Sequence, residues 1–314
     1  MKRLERDDLL PQERLNVILH RGEMVRPSVI RTRQAIFVTP GLLIIIFLLA
    51  LPCLSLFVVS FLTRGEYGDI EMSFTLDNVR RMLGYGFFGW SADNLLILWR
   101  SVVVAFMTTL LCILLSYPLA FFLASRPAAK RVLWLTVLLV PFWTNLVIRT
   151  YAWLLVLDGN MPFARFLSFL HITEPGTTLY PSQFAVYIGM VSVFLPFVAL
   201  PLYTAVEKMD WSIVEAAHDL YSSPWRVFRH AVLPQTLPGL SVGITMTFVP
   251  AMGMFVVPDM LGGARYMLVG NLIQQQFGTS RDWPFGAALS LVLMVLTLGA
   301  LVAATRGSKK KGAR

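Results

Sequence analysis

Long apolar runs alternate with short polar segments along this chain. Six runs, near 36–63, 95–125, 132–157, 183–206, 236–258 and 284–305, are each long enough to cross a bilayer. A helix rises about 1.5 Å per residue, so about 20 apolar residues cover about 30 Å of hydrocarbon. Backbone groups in lipid must be satisfied within the segment, and the period-two alternation of a membrane barrel is absent, so each run is predicted to be a helix. The fold class expected is an all-α membrane protein with six transmembrane helices. The first run follows Arg31 and Arg33, as a signal sequence would. It stays apolar through Leu56, Phe57, Val58 and Val59, past any cleavage site, and Pro52 sits badly before Cys53 for a lipoprotein box, so it is read as an uncleaved first span.

Charge then orients the spans. With the N-terminus inside, the inner segments 1–35, 126–131, 207–235 and 306–314 hold 19 of the 27 Lys and Arg residues, and the outer loops hold 6. That positive-inside bias predicts cytoplasmic termini. It divides the chain into an N-terminal cytoplasmic segment (1–35), a six-helix membrane domain (36–305) with a cytoplasmic loop at 207–235, and a basic tail (306–314). The net charge of +9 therefore needs no nucleic-acid partner, and Lys309, Lys310 and Lys311 read as an anchor beside anionic membrane lipid.

Composition narrows the function. Hydrophobic types make up 56% and charged types 14%, against about 25% charged in a typical globular domain, which argues against a water-soluble enzyme and excludes a disordered chain. Cys53 and Cys112 lie in apolar stretches, and His20, His171, His218 and His230 lack metal-pair spacing, so no metal site is expected. No phosphate-binding G-x-x-x-x-G-K-[ST] loop is present, so no ATP site and no cofactor bound by this chain is expected. Span interiors are almost free of Asp, Glu, Lys and His, which favours a conduit over a catalyst.

The longest inner loop, 207–235, carries the most information. Ser212 to Glu215 has the spacing of a capping box, followed by an apolar face of Ile213, Val214, Ala216, Ala217 and Leu220. Ser223-Pro224 reads as a second helix start, and Pro234 as the close of the segment. Taken alone, the stretch is equally an amphipathic helix lying on the membrane surface. The run Glu215-Ala216-Ala217-His218-Asp219-Leu220, with Leu233-Pro234 after it, resembles the EAA loop of permease subunits of ABC importers (type I), with Tyr221 where that family usually has glycine. The resemblance covers roughly residues 30–305 and is closest to the polyamine (spermidine/putrescine) permeases. It is carried by Pro141-Phe142-Trp143-Thr144, Ile148-Arg149-Thr150-Tyr151-Ala152-Trp153, Ala185-Val186-Tyr187-Ile188-Gly189, Leu200-Pro201-Leu202-Tyr203, Pro258-Asp259-Met260-Leu261-Gly262-Gly263 and Arg281-Asp282-Trp283-Pro284. Met254 stands where polyamine-type permeases tend to have an acidic residue.

The resemblance implies a permease subunit in the bacterial inner membrane. It implies a second permease subunit, two ATPase subunits that use ATP and magnesium, and a periplasmic solute-binding protein. It implies that Glu215, Ala216, Ala217, Asp219, Leu220, Tyr221, Ser222 and Ser223 couple the chain to the ATPase. Trp143, Asn145, Arg149, Tyr151, Tyr187, Asp259 and Asp282 form the candidate solute path, in which aromatic rings would hold an ammonium group. Asn145 and Arg149 are four apart and so share a helix face, although Arg149, Tyr151 and Trp153 equally read as an outer interfacial belt. Asp259 and Asp282 are either first contacts for a cation or solvated loop carboxylates. Pro250 is expected to kink or break span five, and Pro196 and Pro201 to act as hinges or to shape packing in span four near Gly189 and Ser192. The competing readings are an importer for another small organic solute, a membrane enzyme, and a partner-binding membrane protein.

Overall fold

The computed structural model describes residues 27–311 except 87, 88, 221, 222, 264 and 265, with backbone alone for 27–38, 86 and 303–311. Most of the predicted segment 1–35 thus lies outside the described residues. The chain falls into two compact units, 1–55 and 56–314. The first unit consists, as described, of helix α1 (Pro27–Val59), which continues across the boundary and contains Pro40 and Pro52.

In the second unit, the polar residues after α1 form small elements that the sequence reading passed over as loop. Strands β1 (Leu62–Arg64) and β2 (Ile70–Phe74) pair antiparallel, helix α2 (Asp77–Met82) follows, and β3 (Tyr85–Gly86) pairs with β4 (Gly89–Trp90). Buried Asn78 fixes α2 to the chain entering β1 by donating from Nδ2 to the carbonyls of Ser60 and Leu62, both at 2.9 Å.

The membrane helices are α3 (Asp93–Ala124), α4 (Ala128–Leu139), α5 (Leu146–Val156), α7 (Gln183–Glu207), α10 (Leu233–Met252) and α13 (Trp283–Lys311), with the short α6 (Pro162–Phe169) between α5 and α7. Helices α8 (Trp211–Leu220), α9 (Pro224–Val227), α11 (Val256–Gly262) and α12 (Val269–Phe277) complete the chain. Among the described residues, five single helices are long and apolar enough to cross a membrane, counting the continuous helix Pro224–Met252 as one. The predicted third span is a bent pair, Ala128–Trp143 with Leu146–Val156, meeting at 96°, which makes a sixth crossing if the two pieces act as one span.

Three sequence expectations need correction. The run 132–157 is not one straight helix. Pro141 lacks an N–H and crowds the preceding turn, so the chain tightens into a 3-10 turn at Val140–Trp143, goes extended at Thr144, and restarts with Asn145 as N-cap. Pro250 does not end span five. That helix runs on to Met252 and stops at Gly253, so the predicted 236–258 divides into α10 and α11. Pro234 does not close the inner loop, because a π-turn at Phe228–Val232 joins α9 to α10. The wider i→i+5 loop relieves the crowding a proline imposes on the turn before it. The predicted tail likewise continues α13 as helix to Lys311.

Helices α3, α7 and α10 pack on one another around Ala105, Cys112, Met190, Val198 and Ala251. Small residues permit the close approach. A Cβ at Gly239 of α10 would strike the Pro201 carbonyl of α7 and come within 2.6 Å of Ala205 Cβ, and one at Gly243 would lie 3.0 Å from Val198 Cα. Helix α7 runs unbroken through Pro196 and Pro201. Gly189 receives Val257 and Leu261 of α11. Ser192 accepts a hydrogen bond from Trp153 Nε1 at 3.0 Å, so Trp153 belongs to the core and not to an interfacial belt.

Candidate functional site

One end of the bundle carries an elbow made of α8 and α9. Its cap is not Ser212. Helix α8 begins one residue earlier, at Trp211, and Asp210 Oδ1 accepts from the Ser212 amide (3.0 Å) and from Ser212 Oγ (2.7 Å). The Ser212 hydroxyl, then its amide, hold the Asp210 carboxyl below its ordinary value near 3.8. The Asp-x-Ser spacing was the sequence signal for this cap. The second start holds as read: Ser223 is the N-cap of α9 and its carbonyl accepts from the amides of Arg226 and Val227.

The predicted apolar face of α8 is divided. Val214 and Ala217 (8% exposed) turn inward on Met209, Val227, Ala231 and Val232. Ile213, Glu215, Ala216, Asp219 and Leu220 face outward, Leu220 with 79% of its surface exposed, and Trp225 of α9 is exposed beside Phe228. Ala217 is therefore part of the elbow's own packing, while the others present a mixed apolar and acidic surface. Ser223 is half-buried, and Tyr221 and Ser222 lie outside the described residues.

The elbow is tied to the bundle by contacts the sequence did not reveal. Gln235 clamps it to α10: Asp210 N donates to Gln235 Oε1 at 2.9 Å, and Gln235 Nε2 donates to the Asp210 carbonyl at 3.3 Å. Trp211 lies edge-on to Phe121 and Phe228 edge-on to Tyr117, both partners on α3. The Tyr117 hydroxyl meets Thr236 Oγ1 at 3.1 Å. At the end of α7, Glu207 pairs with Arg131 of α4, which also donates to the carbonyls of Ala124 and Arg126. These pairs join residues far apart in sequence, so no local spacing marks them. From Pro224 to Met252 the chain is one helix of 29 residues, a rod of about 43 Å at 1.5 Å per residue, with the elbow at its N-terminal end.

The candidate path residues are dispersed in role. Trp143 is 83% exposed at the end of the 3-10 turn and Tyr151 is exposed on α5. Asn145 and Arg149 do not act together on one face. Asn145 Oδ1 caps α5 by accepting from Val147 N at 2.8 Å, and Arg149 Nη1 reaches back to the Pro141 carbonyl at 3.0 Å, which also accepts from Thr144 N at 3.3 Å and Thr144 Oγ1 at 2.6 Å. Tyr187 is half-buried against the core, its hydroxyl 3.3 Å from Gln183 Nε2. Asp259 is exposed on α11. Asp282 is neither solvated nor available to a solute: its side chain is 3% exposed, pairs with Arg81 Nη1 at 2.9 Å and accepts from Phe285 N at the start of α13. Arg81 in turn lies 4.3 Å from the Phe285 ring centre. Where α10 breaks, a recess of about 530 Å³ opens between Val249, Gly253, Phe255, Gln274 and Leu293.

No family model matches the chain. Over 246 residues it is 41% identical to the spermidine/putrescine transport system permease protein PotB of Escherichia coli (strain K12), spanning 78% of this chain and 87% of that protein. It is 36% identical to the protein of the same name from Haemophilus influenzae, over 80% of this chain and 86% of that one. It is 29% identical to the inner membrane ABC transporter permease protein YdcU of Escherichia coli, over 76% and 80%. Among solved structures its fold is similar to that of a chain of a bacterial ABC transporter that imports alginate (TM-score 0.67, 12% identity, 90% of this chain and 98% of that one). It is also similar to a chain of the MetNI methionine ABC transporter (TM-score 0.51, 19% identity, 69% and 95%). The extent and level of identity to the PotB proteins settle the family: this chain belongs to the PotB family of ABC-importer permeases, multi-pass proteins of the inner membrane.

Proposed function

We propose that this permease moves a polyamine such as spermidine or putrescine across the inner membrane by alternating access, driven by an ATPase docked on its elbow. The observation that carries the reading is mechanical. The outward face of α8 and α9 mixes apolar side chains with the acidic Glu215 and Asp219 and the basic Arg226, and α9 continues without a break into the rod that ends at Met252. A partner that moves the elbow moves the inner end of span five with it, because Gln235 and the Phe121 and Tyr117 contacts leave little independent motion. A ligand-driven change of state requires the partner to contact the two states with different free energy, and a rigidly held docking surface supplies that difference.

In this reading the termini and the elbow are cytoplasmic, as the Lys and Arg bias predicts. Two ATPase subunits bind ATP and magnesium, a second permease completes the pore, and a periplasmic protein delivers solute at the opposite face. Trp143 and Tyr151 offer exposed aromatic faces to an alkylammonium ion, and Asp259 an exposed carboxylate. Another small organic solute remains the second reading, because Arg81 neutralises Asp282 and Met254 carries no charge. The deciding experiment reconstitutes the complete transporter with its cognate binding protein in liposomes and follows uptake of labelled spermidine, putrescine and uncharged solutes. ATP-dependent accumulation of the polyamines alone supports the proposal, and accumulation of a neutral or anionic solute instead overturns the substrate while leaving the importer intact.

A further inference from the structure

Helix α6 and the residues after it carry an exposed apolar stripe that the transport cycle as described above does not use. Phe166, Phe169 and Leu170 stand three and four residues apart and so share one face, and Ile172 follows at the helix end, 65% exposed; Phe169 is 78% exposed. The opposite face is occupied, with Ala164 buried and Phe163 packed against the core. The helix is stopped by a left-handed residue, His171 at φ 57°, with His171 N donating to the Ser168 carbonyl and Ile172 N to that of Leu167. That double bond pattern turns the chain back over the last turn, so Ile172 stays with the stripe. From Pro162 to Ile172 the only charged side chain is that of Arg165, which is exposed, and His171 is exposed beside the stripe.

We propose that α6 lies in the lipid headgroup region of the leaflet opposite the elbow, its stripe in the acyl boundary and Arg165 against lipid phosphate. Three observations select lipid over protein as the occupant. First, α6 sits between the end of α5 at Val156 and the start of α7 at Gln183, so connectivity keeps it at a membrane boundary, and α7 places it at the opposite end from the elbow. Second, the exposed apolar surface of α5, including Ile148 and Leu155, leads into it through one short turn. Third, four side chains fall well short of the roughly 20–30 residues a side of a stable protein interface. An apolar face edged by a basic residue is what sits about 5–10 Å into a headgroup layer. The effect would be to fix the height of the break between α4 and α5 while the opposite end of the bundle moves.

The test uses the complete transporter in nanodiscs of phosphatidylethanolamine and phosphatidylglycerol. Cys53 is replaced by Ala and Cys112, which is buried, is kept. Spin labels are placed by Phe169→Cys and, as a polar control on the same segment, by Glu174→Cys. Collision with oxygen, which partitions into lipid, is compared with collision with a water-soluble nickel complex. The expected result is an oxygen-to-nickel ratio several-fold higher at 169 than at 174. Equal ratios at the two positions, or exclusion of both reagents from 169 by a protein neighbour, overturns the proposal. A second variant, Phe169→Ser with the label moved to Ile172→Cys, is expected to lower the ratio at 172, and an unchanged ratio there also counts against it. None of these outcomes depends on which solute is carried.

Discussion

Replacing Leu220 by serine separates docking from folding. Leu220 is 79% exposed, so its side chain contributes little to the permease itself, and the substitution is expected to change stability by no more than about 0.5 kcal/mol. Burying a leucine side chain against a partner is worth about 1.5–3 kcal/mol. At about 1.4 kcal/mol per tenfold, Leu220→Ser is expected to weaken ATPase binding by roughly 10- to 100-fold. The assay is titration of the purified ATPase onto nanodisc-held permease pairs, with binding-protein-stimulated ATP hydrolysis followed in parallel. Ala217→Leu is the contrasting variant. The Ala217 side chain faces Val227 and Ala231, so added volume strains the elbow at about 1–3 kcal/mol and lowers the melting temperature of the permease alone. Unchanged ATPase affinity and unchanged stimulation in Leu220→Ser, with normal folding, would refute the assignment of this face as the docking surface.

Three further outcomes follow from the geometry. Asp282→Ala leaves Arg81 and the Phe285 amide without their acceptor and is expected to cost about 1–3 kcal/mol, less than a fully buried pair because Arg81 is 42% exposed, read as a lower melting temperature. Gly239→Val drives a side chain into the Pro201 carbonyl and Ala205, and overpacking of about 1–3 kcal/mol or more should reduce thermal stability and folded yield, whereas Gly41→Val, with no neighbour within 4 Å of the added Cβ, should not. Asp210 has a folded pKa below its ordinary value, so its cap is fully present above about 3.8 and is lost as pH falls through the lower folded value. Asp210→Ala should therefore speed amide exchange at Ser212 at neutral pH, and the difference from the unmodified protein should vanish in strong acid.

The apolar runs were legible because a span must be apolar over its whole length, and no tertiary contact alters that requirement. The elbow was legible for a similar reason: Ser223-Pro224 is a local start signal, and local signals survive folding. What sequence reasoning missed was set by contacts between distant residues. Pro234 reads as a stop in isolation, yet a π-turn absorbs it, and only the packing of Val232 and Phe228 on the elbow and α3 makes that wider turn worth forming. Asp282 reads as a solvated carboxylate until Arg81, 201 residues away, is folded over it. Arg149 reads as a path residue or an anchor until it is seen to fold back across the break and join Thr144 on the Pro141 carbonyl.

The two prolines of span five matter differently from the one in span three, and the difference bears on mechanism. In the predicted span three, Pro141 interrupts the helix near Trp143 and leaves a bend of 96° between its two pieces, so a push at one end is not carried straight to the other. In span five, Pro238 and Pro250 lie inside an unbroken helix packed on α7 through Gly239 and Gly243, and the interruption comes only at Gly253. A displacement at Trp225 is therefore transmitted along about 43 Å of helix before it meets a flexible point. The recess beside Gly253, Phe255 and Gln274 lies at that point. A glycine-to-alanine exchange at Gly253, where φ is −92° and the nearest atom to an added Cβ, Leu293 Cδ2, is 3.7 Å away, would stiffen the break without moving the elbow. Such a variant should keep ATPase binding while slowing uptake, and equal slowing of both would place the coupling elsewhere than along this rod.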